Sequence, residues 1–232
     1  MKKTILFVVS LSLLAVSACT SNKAPERQGW SNNVDGPLYG DVKSVTLIGY
    51  NLTDKFGEII KDGIGDKKVY KFNQQGDVIE EARYNSNGSL SYKDLREYDS
   101  KGNMIEWAYY NSDGSLGWKY LYKYDSKGNK IEETSYNSDG LLNYKNLYKY
   151  DSKGNLIETA DYYSDGSLDD KDIYKYDSQG NMIEEARYNS DGSLSWKLLY
   201  KYDSKGNWIE KTSYEGETMK PTSMVVREIV YR

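Results

Sequence analysis

Six glutamates recur at one spacing, Glu80, Glu106, Glu132, Glu158, Glu184 and Glu210, each 26 residues after the last. In the strand pairing inferred below, they face Tyr70, Arg96, Tyr122, Tyr148, Tyr174 and Tyr200 respectively. A glutamate beside a tyrosine has the parts of a general acid with a partner, or of an acceptor for sugar hydroxyls. The same pairs also make a cross-strand ladder that fixes register. The ladder reading is favoured, because catalysis needs such a pair once and not six times. With no histidine and one cysteine, Cys19, the usual zinc sets, Ser–His and Cys–His catalysis and an intrachain disulfide are excluded. Carboxylates and tyrosines are the catalysts left, and no cofactor is expected.

Two further patterns carry candidate chemistry. Asp161 to Leu168, DYYSDGSL, echoes a calcium loop, with Gly166 and Asp172 at its sixth and twelfth positions. Tyr163 stands where an oxygen ligand is needed, so the stretch reads as a turn and no metal site is expected. Trp118 and Trp196 share one repeat position and offer flat faces for sugar rings or aromatic side chains, flanked by Tyr120, Tyr122 and Tyr148. The competing reading is packing by the largest aromatic on hand. Trp107, beside Tyr109, falls on the opposite and wetter face in this pairing and is a separate candidate. Lys119, Lys145, Lys171 and Lys197 read as solvated charges that blunt aggregation along a long sheet.

The elements that must hold these residues follow from two turns. Tyr-Asp-Ser-Lys/Gln-Gly-Asn begins at Tyr98, Tyr124, Tyr150, Tyr176 and Tyr202, and Asn-Ser-Asp-Gly or a variant lies between successive copies. Asp or Asn suits the first turn position, and Gly takes the left-handed conformation that closes a type I turn with a bulge. The intervening runs, such as LGWKYLYKY, mix aromatic, β-branched and charged residues without a helical period. Each 26-residue unit is therefore two antiparallel strands. The fold class is all-β: a coiled antiparallel meander with regular repeats over about 72–214. Lead-in strands are expected within 41–71 (Asp41 to Leu52, Lys55 to Lys61, and Lys67 running on to Phe72) and a closing strand over 223–232, roughly fourteen strands in all. The bulged turns place Trp118 opposite Tyr136 and Tyr136 opposite Leu142. Even-numbered residues then share one aromatic face throughout. The pattern slips two residues for every two strands, the ratio that coils an eight-stranded barrel of shear eight. Lys123 facing Glu132 would instead indicate two-residue loops.

The repeated YDSKGN followed by Ile-Glu resembles the YD repeats of rearrangement-hotspot and teneurin-like proteins, and the unit also resembles Gly-rich hairpin repeats of the MORN class. Together these cover about 140 residues. The resemblance implies an open, coiling antiparallel sheet without an activity of its own. Giant YD proteins enclose a cleaved toxin. This small chain carries no such cargo domain, so a cocoon role is not expected. Gly117-Trp118 is similar to the Gly-Trp pair of choline- and glucan-binding repeats, a narrower likeness that the other units do not share.

The first nineteen residues, MKKTILFVVSLSLLAVSAC, pair two lysines with an apolar run too short to span a bilayer, then small residues and Cys19. Val16-Ser17-Ala18-Cys19 resembles the bacterial lipobox, which implies cleavage after residue 18 and lipidation of Cys19. Residues 19–40 read as a flexible tether and 41–232 as the repeat domain. Thr20 after the cysteine, by analogy with enteric bacteria, favours the outer membrane. Net charge is −4 with both signs interleaved, so nucleic acid is not an expected partner. With 24 Tyr against 3 Phe, the aromatic faces suit half-wet contacts. The expected function is a non-catalytic, lipid-anchored binding or structural module of the cell envelope, touching a glycan or protein ligand through its aromatic face. The alternative is a carbohydrate-active lipoprotein using glutamate and tyrosine.

Overall fold

A computed structural model describes residues 38, 40–216 and 220–232. Cys19, the signal segment and nearly all of the expected tether lie outside the described residues. Residues 41–232 form one compact unit. Its strands are β1 (Ser44–Lys55), β2 (Glu58–Phe72), β3 (Val78–Tyr84), β4 (Leu90–Tyr98), β5 (Met104–Asn111), β6 (Leu116–Tyr124) and β7 (Lys130–Asn137). The second half continues with β8 (Leu142–Tyr150), β9 (Leu156–Tyr163), β10 (Leu168–Tyr176), β11 (Met182–Asn189), β12 (Leu194–Tyr202), β13 (Trp208–Glu215) and β14 (Lys220–Val226). All 14 belong to one antiparallel sheet in sequence order. Each strand touches only its immediate neighbours, so the sheet is a single open layer and does not close into a barrel. The second and third lead-in strands are one continuous β2. The closing strand starts earlier than expected, at Lys220, and ends at Val226.

The turns form as their residues dictate. Asp125 N–H donates to the Asn129 carbonyl at 2.9 Å and Gly128 N–H to the Asp125 carbonyl at 3.1 Å. Gly128 has φ +90°, the left-handed value that the closing residue of this loop requires. The Asp125 carboxylate accepts the backbone N–H groups of Lys127 at 2.8 Å and Asn129 at 2.9 Å, and the Asn129 side-chain amide at 2.9 Å. Asp99, Asp151 and Asp177 repeat this set. The Asn-headed turns followed by serine use the residue before the glycine instead, as Asp113 Oδ1 accepts Ser115 N–H at 2.8 Å and its hydroxyl at 2.6 Å. In the turn without that serine, Asn137 Oδ1 itself accepts the N–H groups of Asp139 and Leu141 at 3.0 Å.

Register departs from the expectation one residue beyond each turn. Tyr124 pairs Lys130, but Lys123 pairs Glu132, leaving Ile131 as a bulge. Tyr136 pairs Leu142, but Ser135 pairs Tyr144, leaving Asn143 as a second bulge. Lys123 therefore does face Glu132, although the loop is the three-residue kind. The two-residue slip survives, because Tyr120 pairs Ser135 and Ser135 pairs Tyr144, 24 residues on. What changes is parity: each bulge flips the strand that follows it. Even residues of β4, β6, β8, β10 and β12 share a face with odd residues of β5, β7, β9, β11 and β13. Trp118 lies opposite Asn137, not Tyr136.

The same shift explains the Tyr-Asp signature. Tyr98, Tyr124, Tyr150, Tyr176 and Tyr202 donate their hydroxyls to the carbonyls of Val78, Met104, Lys130, Leu156 and Met182 at 2.7–3.0 Å. Each acceptor directly precedes a bulged isoleucine, where the disrupted ladder leaves a carbonyl to satisfy. Phenylalanine cannot make this bond, which accounts for tyrosine in every regular unit.

The sheet has two dissimilar faces. One repeats almost unchanged: Leu95, Leu121, Leu147, Ile173 and Leu199 lie opposite Ala108, Thr134, Ala160, Ala186 and Thr212. That small-residue column is buried, from 0% exposure at Ala186 to 6% at Thr134. In a one-layer sheet a short side chain is covered by the longer stems of its neighbours; Tyr70 and Phe72 of β2 are large side chains that reach comparable burial, at 2% and 6% exposure. The glutamates of the 26-residue column sit on this face. Five of the six pair not with tyrosine but with lysine, Lys71–Glu80, Lys123–Glu132, Lys149–Glu158, Lys175–Glu184 and Lys201–Glu210, all at 2.7–2.9 Å, whereas Glu106 lies opposite Glu97 and has Lys119 at 3.9 Å. Lys145 and Lys197 reach the same glutamates from the other side at 3.2 and 3.5 Å. Of the lysines expected to be merely solvated, Lys119, Lys145 and Lys197 thus join an ionic ladder.

Candidate functional site

The other face varies from unit to unit, and its variation gathers the large aromatics. Trp107 of β5 faces Tyr120 of β6, and Tyr109 faces Trp118. The Trp107 and Trp118 rings meet edge to face at 4.8 Å, and Tyr109 stacks on Trp118 at 5.4 Å. Tyr120 lies 5.1 Å from Trp118, 5.9 Å from Trp107 and 6.2 Å from Tyr144 of β8. Tyr122 stacks parallel to Tyr120 at 6.3 Å, and Tyr92 of β4 extends the cluster to Tyr109 at 5.5 Å. Trp107 is therefore a member of the Trp118 cluster and not a separate exposed patch, because the bulge before Trp107 turns it over. All these rings are half-buried and present their remaining surface to solvent.

Local sequence makes room for this cluster. Gly117 is the bulge residue of β6, and a Cβ built on it would meet the Tyr109 ring at 2.6 Å. The corresponding residues in other units are Ser91, Asn143, Asp169 and Ser195. Glycine appears at this position only where an aromatic ring lies flat across the backbone. The Gly117-Trp118 pair thus has a packing cause within this chain.

Polar groups border the rings. Lys130, next to a bulge, reaches across to Glu133 at 2.6 Å and lies 4.7 Å over Tyr148 and 5.6 Å over Tyr122. Burial and the Glu133 carboxylate push the Tyr122 hydroxyl well above its ordinary range. Burial and the neighbouring Tyr120 hydroxyl do the same to Tyr144. On the β4 side, Arg96 bonds Glu81 at 3.3 Å and lies 5.7 Å over Trp107. The Trp107 N–H and Asp94 Oδ1 are both shut off from solvent and approach without reaching hydrogen-bond geometry. Burial pushes the Asp94 carboxyl up, with Arg96 opposing. Glu133, Ser135 and Asn146 lie among the rings as acceptors and donors, on the strands next to Tyr120 and Tyr144.

Of the sequence-identified residues, Trp118, Tyr120, Tyr122 and Trp107 come together, and Tyr148 joins through Lys130. Trp196 does not. It stands on β12, six strands from β6 or about 29 Å across the sheet, with the Arg187 guanidinium 5.5 Å from its ring. Sequence reasoning missed Tyr109, Tyr144 and Glu133. The column Ser91, Gly117, Asn143, Asp169 and Ser195 is the signal that could have found them. Turn-type residues inside aromatic strands mark bulges, and the bulges decide which aromatics meet. Next to the cluster, Asp161, Asp170 and Asp172 face Arg187, which holds Asp172 in a two-pronged bond at 2.8 and 2.7 Å. Burial and like charges push the Asp161 and Asp170 carboxyls up. Among the described residues no group of acidic side chains has the geometry of a metal site, and DYYSDGSL forms an ordinary turn.

No protein-family profile matches this chain, and no curated protein sequence matches it. Among solved structures, it is similar to TcdB2-TccC3 without its hypervariable C-terminal region, at 15% identity and a TM-score of 0.44, over 80% of this chain and 11% of that one. It is similar to a porin-like protein from Bacteroides uniformis at 10% identity and a TM-score of 0.29, over 75% of this chain and 89% of that one. A third match, TarM, has 13% identity and a TM-score of 0.21, over 55% of this chain and 20% of that one. At such identities and scores, the assignment of an open antiparallel hairpin meander rests on the chain's own strand pairing.

Proposed function

We propose that the chain is a non-catalytic, lipid-anchored repeat protein of a bacterial cell envelope, whose sheet is a scaffold and whose aromatic cluster binds glycan. The observation that carries this reading is the contrast between the faces. One face repeats the same pairing of Leu or Ile with Ala or Thr in every regular unit, as a scaffold must. The other departs from the repeat and concentrates Trp107, Tyr109, Trp118, Tyr120, Tyr122 and Tyr144 in adjacent strands. Flat half-open rings edged by Glu133 and Asn146 suit sugar rings, which stack through their C–H faces and need hydroxyl partners at the rim. The lipid anchor is supported by the residues around Cys19. Outer-membrane placement is supported by Thr20.

The carbohydrate-active alternative loses its original pair, because Glu132 and Tyr122 lie on opposite faces. Glu133 is the carboxylate beside Tyr122. A glycan array probed with the protein tests the binding reading. Glycan retention that falls at least tenfold in Trp118→Ala and Tyr120→Ala, and holds in Glu132→Gln, is expected. Retention unchanged by both aromatic substitutions, or binding only to proteins, overturns it. The anchor is tested by globomycin-type inhibition of lipoprotein processing. Unchanged mobility and membrane fraction would reject it.

A further inference from the structure

The outermost strands each hold a stretch without charge or proline. Ser44 to Thr53 of β1 and Thr222 to Val226 of β14 are these stretches, with Asp54 and Lys55 confined to the hairpin end of β1 and Lys220 and Pro221 to the start of β14. Natural sheets place charges, prolines or covers on such edges, because unpaired N–H and C=O groups recruit other strands. Here such residues sit only at one end of each edge strand. Among the described residues neither edge has a neighbour on its outer side.

The two free edges also match. The Phe72 N–H bonds the Lys43 carbonyl at 3.0 Å, so by alternation Ser44, Thr46 and Ile48 turn their backbone groups outward. The Arg227 N–H bonds the Ile209 carbonyl at 2.8 Å, so Met224 and Val226 are outward residues of β14, and Thr222 is the bulge that ends the regular alternation. In both sets the side chains lie on the ladder face: Met224 lies opposite Thr212, and Ser44, Thr46 and Ile48 alternate with Val45, which lies opposite Tyr70 on the other face. Ile48, Met224 and Val226 are 40%, 58% and 63% exposed. An even number of strands makes β14 antiparallel to β1. A second copy can therefore add its β1 beside β14 as one more turn of the meander, with both faces continuous.

We infer that copies of this chain associate head to tail by β14-to-β1 strand pairing, with Ser44 and Thr46 opposite Val226 and Met224 and Ile48 at the end of the contact, beside the Thr222 bulge. The contact uses two different edges, so it leaves one of each free and propagates as open chains. This inference is independent of any glycan bound by the aromatic cluster. The test uses the full chain in detergent with Cys19→Ser, carrying Thr46→Cys in one preparation and Met224→Cys in another. Mixing the two under oxidation should give cross-linked dimers at least tenfold above either preparation alone. Light scattering of the parent should show the protein mass rising more than twofold with concentration, and Ile48→Lys should abolish the rise. Met224→Pro, which removes an outward donor, should do the same while unfolding as cooperatively as the parent. If that variant misfolds, Ile48→Lys decides alone. A constant monomer mass, like-with-like cross-links as strong as the mixed ones, or capture only of foreign strands overturns the inference.

Discussion

Trp118→Ala is the most informative single change, because Trp196→Ala removes the same residue from the same repeat position in different surroundings. Trp118 meets three rings: Trp107 at 4.8 Å, Tyr120 at 5.1 Å and Tyr109 at 5.4 Å. Aromatic pairs contribute about 0.5–1.5 kcal/mol each beyond buried area. Taking the lower half of that range for half-buried rings gives about 1.5–3 kcal/mol. Trp196 has the Arg187 guanidinium at 5.5 Å, a cation–π contact of about 0.5–1 kcal/mol. Both indoles are half-buried, so the area terms largely cancel between the two variants. Trp118→Ala should therefore cost about 1–2 kcal/mol more than Trp196→Ala. Urea unfolding followed by far-ultraviolet ellipticity reads this without depending on the deleted fluorophore. Losses equal within about 0.5 kcal/mol would refute the claim that the cluster is energetically coupled and preformed.

Other outcomes follow from the same geometry. Gly117→Ala should displace the Tyr109 ring and lower stability, whereas Ser91→Ala should be close to neutral; near-ultraviolet circular dichroism and urea midpoints separate the two. Tyr124→Phe should cost about 1 kcal/mol through loss of the bond to the Met104 carbonyl, read from the urea midpoint. The turn carboxylates of Asp99, Asp125, Asp151 and Asp177 are held below their ordinary 3.8 by the Asn side chain and backbone N–H groups, and Asp203 is lowered to about 2. Their contribution is present above 3.8 and is lost as pH falls through the lower folded values. Asp161 and Asp170 shift the other way: stabilisation present below 3.8 is lost as pH rises through their raised folded values. Stability should therefore rise modestly on mild acidification and fall below 3.8; in Asp161→Asn the rise should shrink while the acid loss remains. Deleting one 26-residue unit should leave a folded, shorter sheet with a proportionally smaller urea m-value, and loss of folding would contradict nearest-neighbour energetics.

The parts legible in the sequence are those written locally. Asp-Ser-Lys-Gly fixes a loop, a left-handed glycine and a strand boundary within six residues, and its repetition fixes the strand count. The faces were not legible by spacing alone. Period-two counting assumes an unbroken pleat, and each hairpin breaks it at residues such as Ile131 and Asn143. A one-residue error is fatal to face assignment, because it moves every later side chain of that strand to the other side. Thus Glu132 left Tyr122 for Lys123, and Trp107 left its presumed isolation for Trp118. The slip of the meander survived the same error, since two bulges per unit shift opposite sides of the ladder by one residue each. Cooperation between bulge and aromatic, as at Gly117 and Tyr109, is a cross-strand relation that reading along one strand cannot reveal.

The paired bulges also bear on heredity. Each unit contains two of them, so a complete unit returns the chain to the parity with which it entered. Unequal exchange between the coding copies can then add or remove a unit wherever the break falls, and every downstream side chain keeps its face. Loss of one codon within a strand inverts that strand locally and is selected against. The gene can thus change the span of the sheet in whole steps while the rungs that hold it together stay the same.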